Sequence, residues 1–258
     1  MASYLITGAS RGLGFELARQ LLSLPASQVN KVFATTRADA PGLAELAQKS
    51  SGRLVVVKLD VTKEATIKEA AKEVEADLAG RGLDVLINNA GKMPWTPNGV
   101  ATMDDLEDTF ITNVLGVHRV TQAFFPLLQK GKLKKVANIS STLGSIALAP
   151  QYAAGPAPAY KITKTALNSL TVQYALGYEK EGFTFFAVSP GEADLSLKWL
   201  KTDLGSQNAD LSVEVGAKAA LDKIIGAGKE QNGQFLNIKI EGWEKTGPNQ
   251  YDGVNPPW

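Results

Sequence analysis

The chain has 258 residues, 44% hydrophobic and 21% charged, and its 27 basic and 26 acidic side chains nearly cancel. A near-neutral balance supplies no large field for nucleic acid or anionic lipid, and this composition is that of an ordinary globular protein, not a disordered one. With no cysteine and a single histidine, His118, neither a disulfide framework nor a thiolate or histidine metal centre is expected.

The first apolar run, Tyr4-Leu5-Ile6, begins almost at Met1 with no basic stretch leading into a longer apolar run, so no signal peptide is expected. No segment approaches the roughly 20 apolar residues of a membrane span, so a soluble, cytoplasmic protein is expected. Short β-rich runs at Tyr4 to Thr7, Val32 to Thr36, Leu54 to Leu59, Val85 to Asn88, Lys135 to Ile139 and Phe183 to Val188 alternate with helical patterns. Those patterns lie at Gly12 to Leu22, Leu43 to Lys49, Glu64 to Leu78, Asp104 to Leu128, Pro158 to Tyr178 and Val213 to Gly226. A last strand is expected near Gln234 to Ile238, followed by an irregular, Pro- and Trp-containing tail. The alternation predicts an α/β fold: one doubly wound, seven-stranded parallel sheet with helices on both faces, in a single domain over 1–258. Three long irregular stretches, Gly91 to Thr102, Thr142 to Ala157 and Gly191 to Leu211, each follow a predicted strand. Ligands of doubly wound sheets bind at that edge.

Between the first strand and the first helix stands Thr7-Gly8-Ala9-Ser10-Arg11-Gly12-Leu13-Gly14. Glycines there allow a tight turn and close approach to a pyrophosphate, whose charge is met by N–H groups at a helix N-terminus. The plainer reading is a glycine-rich turn without a ligand. Further along come Asp60, Asn88-Asn89-Ala90-Gly91, Asn113, Ser141, Tyr160 with Lys164, and Pro190-Gly191. Taken in this order over nearly the whole chain, the set resembles the short-chain dehydrogenase/reductase family. It is most similar there to fungal ketoreductases of polyketide and secondary metabolism, of the norsolorinic acid reductase type, with bacterial C-factor proteins and small carbonyl reductases nearby. The resemblance implies a Rossmann domain with dinucleotide contacts at Gly8, Ser10, Arg11, Gly12, Leu13, Gly14, Arg37, Asp60, Val61, Asn88, Ala90, Gly91, Tyr160, Lys164, Pro190 and Gly191. At the end of the second strand a carboxylate would bind the adenosine ribose of NAD, whereas this chain has Thr35-Thr36-Arg37. A guanidinium suits a 2′-phosphate and Arg11 adds a second cation, which points to NADP(H). The other reading leaves Arg37 solvated and gives the binding to Asp39.

Tyr160 and Lys164 are four residues apart on one helix face. A phenol of ordinary pKa about 10 needs roughly 3 to 4 kcal/mol of phenolate stabilisation to exchange protons near neutrality, and a neighbouring ammonium supplies that sign of shift. The resemblance implies hydride transfer between nicotinamide and a carbonyl or alcohol of a mid-sized metabolite. Tyr160 would be the acid, Ser141 would hydrogen-bond the substrate oxygen, Lys164 would hold the nicotinamide ribose, and Asn113 would position a water linking Lys164 to solvent. Non-redox chemistry such as cyclisation, or an NADP-binding regulatory role, are the alternatives. Relatives pair through the two long helices, so a homodimer or homotetramer is a further expectation.

Two departures from the family pattern stand out. The stretch between Ser141 and Tyr160 is long, and Glu192 to Lys198 displaces the segment that follows Pro190-Gly191. Thr202 becomes the candidate for the carboxamide contact, inside a lid over about 191–211. Glu192 and Asp194 are either a solvated bulge or polar contacts to substrate. Trp95 has two readings, substrate contact or loop packing. His118 reads as a surface or packing histidine, and Asp104 and Asp105 as helix-start residues.

Overall fold

The structure, a computed structural model, describes residues 1–191, 211–244 and 251–258. Thr202, Glu192 to Lys198 and most of the expected lid lie outside the described residues.

Seven strands form one parallel sheet in the order β3-β2-β1-β4-β5-β6-β7. They are β1 Ala2–Ile6, β2 Val29–Thr36, β3 Leu54–Lys58, β4 Val85–Asn88, β5 Lys135–Ile139, β6 Thr184–Ser189 and β7 Phe235–Asn237. The helices are α1 Gly12–Ser23, α2 Pro41–Lys49, α3 Glu64–Leu78, α4 Leu106–Phe110, α5 Gly116–Lys130, α6 Pro158–Tyr178 and α7 Val213–Gly226. Proline opens α2 and α6, where its missing N–H is harmless and its fixed φ suits the first turn. The Ser212 hydroxyl accepts from Val215 N and caps α7. None of the helices among the described residues is long and apolar enough to cross a membrane.

By its contacts the chain divides into two compact units. The first comprises Met1–Ala90 and Gly116–Ala137. Its β1 pairs in parallel with β2 on one side and β4 on the other, so the strand order reverses beside β1. Every residue of β4 is buried, which requires cover on both faces of the sheet. α1 packs on β2, α2 and α3 on β3, and α5 on β4 and α3. Asp84 is a clasp beneath β1: it accepts from Ser3 N at 2.9 Å, Ser3 Oγ at 3.2 Å and Lys132 N at 2.8 Å. Burial, with the Asp84 charge adding, pushes the neighbouring Tyr4 hydroxyl up to about 12.

The second unit comprises Gly91–Leu115 and Asn138–Trp258. All six residues of β6 are buried, with α6 and α7 packed on it. Phe183, Phe185 and Phe186 are among the largest fully or nearly fully buried side chains, and truncating one of them would cost about 3–5 kcal/mol. Tyr174 stacks on Phe185 at 5.0 Å between ring centroids, and Phe183 on Phe185 at 5.5 Å. Burial there, with the neighbouring Tyr178 adding, pushes the Tyr174 hydroxyl up to about 12.

Two expectations need amendment. The long helix expected over Asp104 to Leu128 starts at Leu106, runs on to Lys130, and is interrupted by a π-helical turn at Ile111–Leu115. Asp105 stands at its N-cap and Glu107 and Asp108 in its first turn, the charge placement a helix dipole favours. The tail expected as coil is in part paired: Lys239 bridges Asp252 in antiparallel sense, and Ile240 N donates to Tyr251 O at 2.9 Å.

Candidate active site

In the first unit the loop after β1 lies where the strand order reverses, the position at which doubly wound sheets open a crevice. Gly8 has φ +67 and Gly12 φ +58, left-handed values that strain any residue with a Cβ. A Cβ on Gly8 would come 2.9 Å from Ala90 Cα, and one on Gly14 would come 2.5 Å from both Gly8 O and Asn89 Nδ2. The loop is stapled to the strand ends around it. Thr7 Oγ1 accepts from Asn89 N and Ala90 N, each at 3.0 Å, while Asn89 Nδ2 donates to Thr7 O at 2.9 Å and Gly8 O at 3.1 Å. On the β2 side Gly8 N donates to Thr35 Oγ1 at 3.3 Å.

Arg11 is the N-cap of α1, which has no side-chain cap and no acidic residue in its first turn. An uncapped helix N-terminus behind glycines that cannot carry a Cβ fits a phosphate-bearing group. Ser10, Arg11 and Arg37 are exposed, Gly12 and Leu13 half-buried, and Gly14, Val61 and Asn88 buried. Asp60 accepts from Thr62 N at 3.0 Å and Thr62 Oγ1 at 2.7 Å. Burial, the largest single influence, acts to raise its carboxyl. The two Thr62 hydrogen bonds and the Lys63 and Arg37 charges together outweigh it, and the net shift is downward. Arg37 thus projects its charge toward the end of β3 while its side chain stays in solvent.

In the second unit Ser141 stands two residues beyond the last residue of β5 and is buried. Its Oγ accepts from Leu143 N at 3.2 Å and starts the 3-10 turn Thr142–Gly144. Gly144 lies flat on α6, where a Cβ would come 2.7 Å from Lys164 Cβ. Thr165 Oγ1 donates to Gly144 O at 2.8 Å, and Ser140 Oγ donates to Asn168 Oδ1 at 2.6 Å. The long spacing from Ser141 to Tyr160 is therefore taken up by a loop that folds back onto the helix. Tyr160 and Lys164 are both buried. Lys164 Nζ donates to Ile139 O at 2.6 Å and stands 5.4 Å from the Tyr160 ring centroid. Met93, Leu143, Tyr152 and Ala157 cluster with Tyr160, and Tyr152 OH meets Thr142 Oγ1 at 2.7 Å.

Asn113 sits in the π-helical turn, a rare register often found at functional sites. Its amide is committed: Oδ1 accepts from Lys92 N at 2.9 Å, and Nδ2 donates to Lys92 O at 2.9 Å and Thr163 Oγ1 at 3.0 Å. Pro190 is buried, and Gly191 has φ +108 with Ile238 Cδ1 3.0 Å, Leu211 Cδ1 3.2 Å and Tyr251 Cε1 3.4 Å from where a Cβ would stand. Trp95 is 44% exposed on the loop whose Thr96 N donates to Pro156 O at 2.7 Å. His118 is half-buried on α5.

The sequence reading did not single out Thr35, Gly144, Thr163, Tyr152 or Tyr251. For Gly144 a signal was present, since a glycine three residues after a strand-end serine marks a tight approach. For Thr35, Thr163 and Tyr251 the partner lies far away in sequence.

A glycine cradle at the reversal point of a doubly wound sheet is the arrangement of a dinucleotide-binding class of protein. The family model for short chain dehydrogenase matches residues 3–202, and the chain belongs to that family. A short-chain dehydrogenase/reductase of Aspergillus aculeatus, AacuF, is 40% identical over 203 residues, 74% of this chain and 74% of that one. The C-signal of Myxococcus xanthus is 33% identical over 177 residues, 68% of this chain and 93% of its own. Among solved structures, NADPH-bound carbonyl reductase from chicken fatty liver superposes with a TM-score of 0.85 at 33% identity, covering 100% of this chain and 94% of that one.

Proposed function

We propose that the chain is an NADPH-dependent reductase of a ketone or aldehyde in a mid-sized, partly apolar metabolite, of the kind handled in fungal secondary metabolism. The observation that carries the reading is the buried Lys164 ammonium, 5.4 Å from the Tyr160 ring and anchored 2.6 Å from Ile139 O at the strand end that leads into Ser141. When bound, NADPH supplies the hydride. Tyr160 gives its phenolic proton to the substrate oxygen as negative charge develops there, and Ser141 Oγ donates a hydrogen bond to the same atom. The Lys164 ammonium stabilises the phenolate left behind. Asn113, its amide spent on Lys92 and Thr163, keeps the turn of α6 that carries Tyr160 in place. Met93, Leu143, Tyr152 and Ala157 give the reacting phenol an apolar wall, which suits a partly apolar substrate and excludes water.

The cradle of Gly8, Ser10, Gly12, Leu13 and Gly14, with Asn88, Ala90 and Gly91, takes the pyrophosphate and the ribose that follows it. Asp60 and Val61 border the adenine, and Pro190 and Gly191 the carboxamide end. Arg37 and Arg11 take the 2′-phosphate. This assignment is supported by the lack of a carboxylate within β2 and by the NADPH found in the chicken carbonyl reductase. The test is purified protein with NADPH and a panel of ketones and aldehydes. Carbonyl-dependent oxidation of NADPH is expected. Product without oxidation would replace this reading by cyclisation, and tight binding without turnover by a regulatory role.

A further inference from the structure

The loop from Thr142 to Ala157 carries Ser141 at its start, and its two ends are held by α6. Gly144 rests on Lys164, and Lys161 Nζ donates to Tyr152 O. Its middle is held by a different part of the chain. Ser145 is buried, and its Oγ donates to Pro257 O at 2.7 Å while accepting from Leu148 N at 3.1 Å. Ala147 N donates to the Trp258 backbone oxygen at 3.2 Å. The Trp258 ring lies almost parallel to that of Phe235 in β7, with centroids 5.4 Å apart and planes at 19°.

Segment 251–258 is itself fastened to the sheet edge. Gly253 N donates to Ile238 O at 3.1 Å, Asn255 Nδ2 donates to Gln234 Oε1 at 2.8 Å, and Tyr251 packs where a Cβ on Gly191 would stand. One short segment therefore touches two strand-end loops of the second unit, the one that begins at Ser141 and the one that begins at Pro190. Between those anchors Ile146 is 71% exposed and adds little packing of its own. Without the tail, the Ser145 hydroxyl would keep Leu148 N and lose the acceptor that fixes its direction.

We propose that Pro257 and Trp258 are positioning residues for Ser141. They tie the middle of the 142–148 loop to β7 and so fix the turn whose first residue presents the serine hydroxyl. The catalytic part of this inference rests on the reductase reading above, and the loop-holding part does not.

The test compares the full chain with its Trp258→Ala, Trp258→Phe and Ser145→Ala variants. Backbone amide exchange over residues 143–148 is measured without cofactor, beside kcat, KM and NADPH affinity. In Trp258→Ala, exchange over 143–148 should quicken roughly tenfold relative to the β6 and α7 amides. Turnover should fall on the order of tenfold, through kcat more than KM, with NADPH affinity within about twofold. Trp258→Phe keeps a ring on Phe235 and should restore both readouts. Ser145→Ala should reproduce the exchange effect, and combined with Trp258→Ala it should add little. Unchanged exchange over 143–148 overturns the inference, whatever the activity. So does quickening that is uniform along the chain and not reversed by phenylalanine, because that is loss of stability alone. A wild-type chain with no reductase activity removes the reductase reading, and the exchange measurement still decides whether the segment holds the loop.

Discussion

The loop after β1 and the loop after β5 each place a glycine where no side chain fits, yet they lean on different kinds of support. Gly8 is wedged against Ala90 and Gly14 against Asn89 and the Gly8 backbone, and the hydrogen bonds of Thr7, Gly8 and Ala9 run to residues at the ends of β2 and β4. The Ser141 loop instead rests on one face of α6 through Gly144 and Thr165 and on the tail through Ser145 and Ala147. Sheet ends give rigidity at little further cost in chain entropy, because the strands are fixed by the core already. A loop laid on a helix and a tail can be adjusted to a new substrate without disturbing the cradle, and it is correspondingly easier to upset.

The largest expected effect tests whether the second region carries the chemistry. Tyr160→Phe removes the proposed proton donor and should cut turnover by about 10²–10⁴-fold with NADPH affinity nearly intact; steady-state rates beside a binding titration check this, and unchanged turnover would take Tyr160 out of the acid role. Next come the two glycines. Gly14→Ala drives a Cβ into Gly8 O and should weaken NADPH binding by at least about tenfold, whereas Gly144→Ala drives one into Lys164 and should lower kcat with NADPH affinity kept. Chemical denaturation of each variant gives the accompanying loss of stability, expected at about 1–3 kcal/mol. If both glycine variants damage binding and turnover equally, the two regions are not separable in the way described.

Arg37→Glu sharpens the cradle side. It replaces the proposed 2′-phosphate partner by a carboxylate and should reduce the preference for NADPH over NADH roughly 10- to 100-fold, read from the ratio of the two affinities. The smallest effect concerns Asp60, whose folded carboxyl is held below its ordinary value. Such a group adds stability above its unfolded pKa of about 3.9 and loses it as pH falls through the folded value. The stability gap between wild type and Asp60→Asn should be present at neutrality and close in acid, and denaturation midpoints across that range would show it.

The strands were readable because β-branched runs such as Leu54 to Lys58 and the phenylalanine-rich, fully buried β6 are bounded by turn residues, and the core keeps those bounds to within a few positions. The π-helical turn at Asn113 was not. Apolar spacing over Leu106 to Lys130 is satisfied by an ordinary helix, and the irregularity falls where Asn113 bonds Lys92 and Thr163, partners distant in sequence. The cradle residues were legible because their constraint is local, a glycine at a left-handed φ. The hold on the Ser141 loop was not legible, because Ser145 and Pro257 are 112 residues apart and a tail with Pro256-Pro257 carries every compositional mark of coil. Ser141, Tyr160 and Lys164 were candidates through their order along the chain and the family resemblance it carries. That Gly144 brings the loop down onto Lys164 could only be seen in three dimensions.

The aromatic stack behind β6 and the phenol under β1 have a consequence at the other end of the pH scale. Tyr4 and Tyr174 keep their protons to about 12 when folded, whereas a phenol in an unfolded chain gives one up near 10. Stability from both is complete below about pH 10 and drains away as pH climbs through 12, since only the unfolded chain can ionise them freely in between. The two hydroxyls therefore add a loss of stability on the alkaline side, and burial, with Asp84 adding at Tyr4 and Tyr178 at Tyr174, sets where it falls.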